Sequence, residues 1–293
     1  MRILIGVDGS SSSDTALQEV ARRPWPIGSE FCVLTVVDPF FFTRAPAILD
    51  EAKKSTLQSL EEQAKPLVDA GWRVNAQVVL DNPRHALPRA AKSWKADVIL
   101  LGSHGRGAVG RLLLGSTAQA VLRHSECTVE IVRKPAREEN DAGMRVLIPT
   151  DGSEHADAAM QSVAQRPWPG GSEFMIVASP EYPVMPGEYP YFPTEDLEVV
   201  MKNGREHAIE AAKLGEGLLK MAGLRTSSLV TDTQGSPAQA ILTAAQEWKA
   251  DLIVMGSHGR RGFDRFILGS VSESVALHAS CSVEVVRSPL AVL

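Results

Sequence analysis

GSHGRGAVGRLLLGS, Gly102 to Ser116, recurs in the same chain as GSHGRRGFDRFILGS, Gly256 to Ser270. Both copies keep the spacing G-x-x-G-x9-G-S while the residues between the glycines change, which marks a site rather than an accident of composition. Each copy follows an apolar run, Asp97–Leu101 or Asp251–Met255, and precedes a stretch with helical spacing. A strand, a glycine elbow and a helix start in that order aim backbone N–H groups and a positive dipole end at one point, which suits a phosphate.

Working outward, the repetition covers the whole chain. RRPWPIGSEF (Arg22–Phe31) returns as QRPWPGGSEF (Gln165–Phe174), WKADVILLGSHGR (Trp94–Arg106) as WKADLIVMGSHGR (Trp248–Arg260), and CTVEIVR (Cys127–Arg133) as CSVEVVR (Cys281–Arg287). The offset between copies widens along the chain, and the extra length falls mainly between Ser179 and Thr194, in a segment rich in proline and aromatics. That insert, 180–193, reads as a long solvated loop, with a lid or partner surface as the alternative. The join is the charged, turn-prone KPAREENDAG, Lys134 to Gly143, giving domains 1–137 and 144–293.

In the first copy Arg2–Val7, Glu30–Val37, Arg73–Leu80, Asp97–Leu101 and Cys127–Arg133 are short runs of Val, Ile and Leu that read as strands. Asp14–Ala21, Asp50–Ala70, His85–Trp94 and Arg111–His124 carry apolar residues at helical spacing. Alternation of this kind predicts an α/β fold, a doubly wound parallel sheet with helices on both faces, and unbroken apolar strands fit burial on both sides. In such sheets ligands bind beyond the carboxyl ends of the strands, where the winding reverses.

With 293 residues, 44% hydrophobic and 22% charged, the chain has enough apolar surface for two packed cores, and no apolar run approaches the roughly 20 residues of a membrane span. A net charge of −5 and a pI near 5.8 offer no field that would draw nucleic acid or an anionic membrane, so neither is expected as a partner. MRILIGVDGS opens directly on a strand and lacks the pattern of a secretory signal. Cys32, Cys127 and Cys281 are far apart in apolar runs, as buried reduced thiols would be, and the cytoplasm is the matching compartment.

Strand one ends in GVDGS, Gly6 to Ser10, and its second copy in PTDGS, Pro149 to Ser153. Asp8 or Asp151 alone reads as a turn or cap residue; recurrence at the edge of the sheet that carries the glycine elbow shifts both toward ligand contact. Gly105 to Gly110 also matches the dinucleotide fingerprint G-x-G-x-x-G, but the second copy breaks it at Asp264, and the fingerprint belongs after the first strand rather than the fourth. His104 and His258 sit in the elbows, where a lone histidine is a solvated or structural donor more often than an acid. No P-loop lysine motif, catalytic triad or paired carboxylate recurs, so no catalytic or metal-binding residue is assigned.

These residues resemble the universal stress protein family in its tandem two-domain form. The resemblance rests on the family's ATP-binding motif G-x-x-G-x9-G-[ST], met by Gly102, Gly105, Gly115 and Ser116 and by Gly256, Gly259, Gly269 and Ser270, and on Asp8 and Asp151 at the end of strand one. It implies two Rossmann-like domains of the adenine-nucleotide α-hydrolase-like kind, each a five-stranded parallel sheet of order 3-2-1-4-5. It also implies that Val7, Asp8 and Val36, or Thr150 and Asp151, hold an adenosine. The phosphates would lie on the glycine loop with Arg106, Ser116 and Thr117, or with Arg260, Ser270, Val271 and Ser272. ATP with magnesium or manganese is the implied cofactor, and AMP or ADP the alternatives. The copies depart from the pattern differently: Ala118 replaces a second hydroxyl in the first, whereas the second keeps Ser272 but has Ser179-Pro180 where strand two should end in apolar residues. Unequal affinities follow.

The family's habit of pairing fifth strands implies that CTVEIVR and CSVEVVR pair within one chain as a pseudo-dimer, leaving a homodimer as further assembly. The leading functional expectation is a cytoplasmic ATP-binding stress-response module. A slow ATPase or nucleotidyl- or phosphotransferase using His104 or His258, and an interaction protein with vestigial or AMP-type sites, are the alternatives.

Overall fold

The computed structural model describes residues 1–42, 48–105, 114–133, 143–180, 194–231, 236–260 and 268–287. In the first half β1 (Arg2–Gly6), β2 (Glu30–Val37), β3 (Arg73–Leu80), β4 (Val98–Gly102) and β5 (Thr128–Val132) alternate with α1 (Ser11–Arg22), α2 (Leu49–Asp69), α3 (Pro83–Trp94) and α4 (Ser116–His124). The second half repeats the pattern with β6 (Arg145–Thr150), α5 (Glu154–Ala164), β7 (Glu173–Ala178), α6 (Thr194–Met221), β8 (Thr226–Val230), α7 (Pro237–Glu247), β9 (Leu252–Gly256), α8 (Ser270–His278) and β10 (Ser282–Val286). All ten strands form one sheet of order β3-β2-β1-β4-β5-β10-β9-β6-β7-β8. Pairing is parallel within each half, and β5 and β10 join antiparallel at the centre.

Most boundaries fall within a few residues of the sequence expectation, with one instructive difference. The helix expected from Arg111 starts only at Ser116; Leu114 and Gly115 lie outside it, and 111–113 fall outside the described residues. Gly115 is extended (φ −60°, ψ 148°), and its N–H donates to the Ser103 carbonyl at 2.8 Å, so the chain must finish closing the elbow before a helix can begin. Burial also grades across the sheet. β1, β4 and β5 are buried nearly throughout, as parallel strands covered on both faces should be, but β3 alternates and β8 is largely open because each is an outer edge.

Each half has its own core on one face, Ile3, Ile5, Phe31, Leu60 and Leu100 in the first and Val146, Ile148, Phe174, Ile176 and Val254 in the second. On the opposite face a third core runs without interruption through both halves, from Leu4 and Ile99 across Ile131 and Val283 to Leu147 and Ile253. Sequence-distant apolar surface is therefore buried at the junction as fully as inside either half.

Polar contacts at the junction come in reciprocal pairs. Arg133 reaches from the end of β5 to the Ala276 carbonyl in the last turn of α8 at 2.7 Å, and Arg287 from the end of β10 to the Leu122 carbonyl in α4 at 2.9 Å. Each places a guanidinium on orphan carbonyls at a helix C-terminus. Arg123 on α4 and Glu273 on α8 add a bond at 2.7 Å. At the centre, Glu130 of β5 lies directly opposite Glu284 of β10, both inaccessible to solvent. Arg23 holds Glu130 at 2.6 Å, and Arg166 holds Glu284 at 2.8 Å. Burial pushes the Glu130 carboxyl above the usual carboxylate range; Arg23 pulls it down, and the facing Glu284 pushes it up again.

Such a pair stabilises less than its short distances suggest, because both ions lose their hydration. Removing one partner is a different matter. Glu130→Leu should cost about 3–5 kcal/mol in chemical denaturation by leaving Arg23 buried and unpaired, whereas Glu130→Leu with Arg23→Met should recover most of that loss. Equal stability of the single and double variants would contradict this account.

No helix among the described residues is long and apolar enough to cross a membrane. Cys32, Cys127 and Cys281 are free thiols, and burial pushes them up to about 11, about 11 and about 12. A thiol raised above its unfolded value near 9 contributes stability fully below that pH, and the contribution disappears as pH rises through the folded value. Stability should therefore fall from pH 9 toward pH 12. At pH 8, thiol labelling in native buffer should be slow and should speed up on unfolding; rapid native labelling of all three would refute it.

Candidate functional site

The elbow after β4 is held by contacts, with backbone at its first glycine and with a carboxylate at its second, that leave no room for side chains there. A Cβ on Gly102 would lie 2.5 Å from the carbonyl carbon of Ser12, because the first turn of α1 rests directly on the end of β4. The same approach occurs between Gly256 and His155 at 2.6 Å. A Cβ on Gly105 would lie 2.7 Å from Asp8 Oδ2, and one on Gly259 would lie 2.6 Å from Asp151 Oδ2. None of these motif glycines has a positive φ. The smallness of Gly102 and Gly105 is demanded by contact with the chain itself.

Asp8 and Asp151 each close a turn at the end of the first strand of their half. Asp8 Oδ1 accepts from the Ser10 N–H, and Asp151 Oδ1 from the Ser153 N–H, each at 3.0 Å, closing a turn whose glycine, Gly9 or Gly152, has a positive φ. The helix cap itself is the next serine: Ser10 and Ser153 accept from the N–H groups of Ser13 and Ala156. The second carboxylate oxygen is thereby turned toward the glycine elbow. In the second half it accepts the Arg260 N–H at 3.0 Å.

Across from the aspartate, α4 and α8 start at Gly115 and Gly269 with no side-chain cap, unlike α1, α3, α5 and α7, which are capped by Ser10, Asn82, Ser153 and Ser236. The amides of Ser116, Thr117 and Ala118, and of Ser270, Val271 and Ser272, thus occupy first-turn positions that lie ahead of the intrahelical ladder. In the first half they face a cavity of about 470 Å³. Val7, Asp8, Gly102, His104, Gly105, Gly115, Ser116 and Thr117 line it on the polar side, and Leu34, Val36, Pro83, Leu87 and Leu101 make an apolar wall. The elbow touches its own aspartate, yet space remains between aspartate, helix start and wall.

The second half brings Thr150, Asp151, Gly256, Gly259, Arg260, Gly269, Ser270, Val271 and Ser272 to the corresponding elements. Thr150 is buried, and its hydroxyl accepts from the Gly152 N–H at 3.2 Å. Ser272 is also buried, and its hydroxyl lies 2.8 Å from the Ser257 carbonyl and 2.9 Å from the Gly269 carbonyl, as a strut between elbow and helix. His258 is not solvated: it is 9% exposed and packs on His155 with ring centroids 5.1 Å apart. Arg106 lies outside the described residues. Among the described residues no group of three or more His, Cys, Asp and Glu side chains is placed to hold a metal ion.

The model of the universal stress protein family matches residues 1–133 and again 144–287. The chain belongs to the universal stress protein family. A universal stress protein of Mycolicibacterium smegmatis is 29% identical over 296 residues, spanning 97% of this chain and 96% of the relative. One from Mycobacterium tuberculosis H37Rv is 27% identical over 311 residues, with 98% and 95% covered. Among solved structures, a universal stress protein from Archaeoglobus fulgidus superposes with a TM-score of 0.67 at 26% identity, covering 98% of both chains. Tandem domains of a Rossmann-like α/β fold are thus common to sequence and shape.

In this universal stress protein, Pro83 and Leu87 are wall residues that sequence reasoning missed. Their signal is positional: Asn82-Pro83 starts the helix after β3, and its first turns lean over the crevice. Gly102→Ala should destabilise by about 1–3 kcal/mol, since the added methyl meets backbone that cannot yield. Gly115→Ala meets nothing nearer than 3.4 Å and should lie well below that range. Urea denaturation of the two variants tests the difference, and equal losses would refute the packing argument.

Proposed function

We propose that each half of this universal stress protein binds an adenine nucleotide, ATP in preference to AMP or ADP, and that the protein acts in the cytoplasm as a stress-response module in which occupancy rather than turnover is the signal. The observation that carries the reading is the uncapped start of α4 at Gly115, facing a cavity of about 470 Å³ whose far wall is apolar. Anionic phosphates suit the helix end, a flat base suits the wall, and the volume falls in the range of small-molecule sites.

In the first half the amides of Ser116 and Thr117 and their hydroxyls hold phosphate oxygens, the Gly105 backbone lies beside them, and Asp8 accepts from a ribose or base donor next to Val7 and Val36. In the second half Ser270, Val271 and the Ser272 amide take the phosphates beside Gly259 and Arg260, with Asp151 and Thr150 at the sugar. A magnesium or manganese ion would enter on the phosphates, which supply the oxygen ligands that such ions favour. The domains carrying the sites are 1–137 and 144–293, paired within the chain through β5 and β10, and any homodimer would use another surface.

A thermal-shift titration with ATP and magnesium should raise the melting temperature by several degrees at saturating ligand, from about 2.7 kcal/mol of linkage at one hundred times Kd. Ser116→Asp sets a carboxylate against the phosphates and should weaken the first site at least tenfold. Absence of any shift in the parent protein would overturn the proposal. A slow-turnover reading draws on His104, which lines the same cavity and whose buried Nε2 has no partner among the described residues; hydrolysis that vanishes in His104→Ala would select it over occupancy alone.

A further inference from the structure

The two crevices differ most at the end away from the phosphate-binding elbow. In the first half Val36 lines the cavity and pairs in register with Val79 on the neighbouring strand, and both pack against the core on the crevice face of the sheet. Ser179 stands at the repeat position of Val36. Thr231 stands at that of Val79, since Phe174 pairs with Thr226 and Ala178 with Val230. The Thr231 N–H donates to the Ala178 carbonyl at 2.9 Å, so the ladder runs one residue past both strands and brings Ser179 and Thr231 side by side. Val177 packs into the core on the face that carries the crevice in the first half, while Ala178 and Val230 pack into the opposite one, so strand alternation turns the next residues, Ser179 and Thr231, to the crevice face.

Both hydroxyls are buried, and neither has a hydrogen-bond partner among the described residues. Thr231 as a residue is only 9% exposed. A buried hydroxyl without a partner is destabilising, and two adjacent ones replacing two valines compound the penalty unless something outside the chain relieves it.

We propose that Ser179 and Thr231 are specificity-determining residues of the second crevice, where they hydrogen-bond the heteroatom edge of the bound base, whereas the first crevice holds its base by apolar contact with Val36. The proposal rests on the nucleotide reading given above. A hydroxyl both donates and accepts, so the pair suits a base that presents a donor next to an acceptor, as the amino and ring-nitrogen edge of adenine does. Ligands lacking such an edge lose little at the first crevice and much at the second, because the wall hydroxyls are then left buried and unpaired.

The test uses the full chain with Ser116→Asp, so that calorimetry reads the second crevice. Against that parent, Thr231→Val and Ser179→Ala, singly and together, should each weaken ATP binding about tenfold while leaving the melting temperature of the free protein unchanged or raised. Purine riboside triphosphate, which lacks the amino group, should bind the parent at least tenfold more weakly than ATP but bind the double variant about as well as ATP does. ATP affinity unchanged in the double variant would overturn the proposal and leave the nucleotide reading standing, whereas a second crevice that binds no ATP while the first crevice of the Ser270→Asp protein does would overturn the proposal together with the nucleotide reading of the second half. Loss of binding in both crevices of the unaltered chain would overturn the two together.

Discussion

The first turn of α1 lies flush on the end of β4, and that of α5 on the end of β9, so closely that Gly102 and Gly256 are the contact itself. This one approach orders the rest of each crevice. It sets the height at which β1 hands over to its helix, and so where the Asp-Gly-Ser turn presents its carboxylate. It also determines where the elbow must depart, and the bond from the Gly115 or Gly269 N–H back to Ser103 or Ser257 then marks the spot at which α4 or α8 begins. A wider separation would move the aspartate, the elbow and the uncapped helix end out of mutual reach.

Much of this was legible in the residues. Alternating apolar runs and helical stretches yield the doubly wound class, and the duplicated segments from Arg22, Trp94 and Cys127 reveal two copies of one domain, since a repeat is visible without knowing what it folds into. The glycine spacing located the crevice. Its physical reason was harder to read, because a glycine that admits a ligand and one that admits a neighbouring helix turn look alike in sequence. The same limit hid the role of Ser272: a hydroxyl after the loop reads as a phosphate donor, but its position one turn into α8 turns it back onto the Ser257 carbonyl. The expectation of unbroken apolar strands holds for the inner strands and lapses at β3 and β8, where position in the sheet rather than strand identity decides exposure.

The halves have diverged in different places for different reasons. Their elbows remain nearly superimposable in contact pattern, down to the carboxylate oxygen beside Gly105 or Gly259. The strand ends have changed: Val36 and Val79 become Ser179 and Thr231. Packing against backbone tolerates little substitution, whereas a strand-end side chain meets only other side chains, so change accumulates where geometry permits it.

The antiparallel seam between β5 and β10, with its facing glutamates and the arginines Arg133 and Arg287 that cross it, belongs to a single polypeptide. Two separate subunits meeting along such a seam would part on dilution, and their association would track how much protein a cell contains. A covalent tether replaces that dependence with a high local concentration independent of abundance. It also lifts the requirement for self-complementarity: a residue on one side of the seam can mutate without an identical change appearing opposite, which lets the two sides age separately while the union persists.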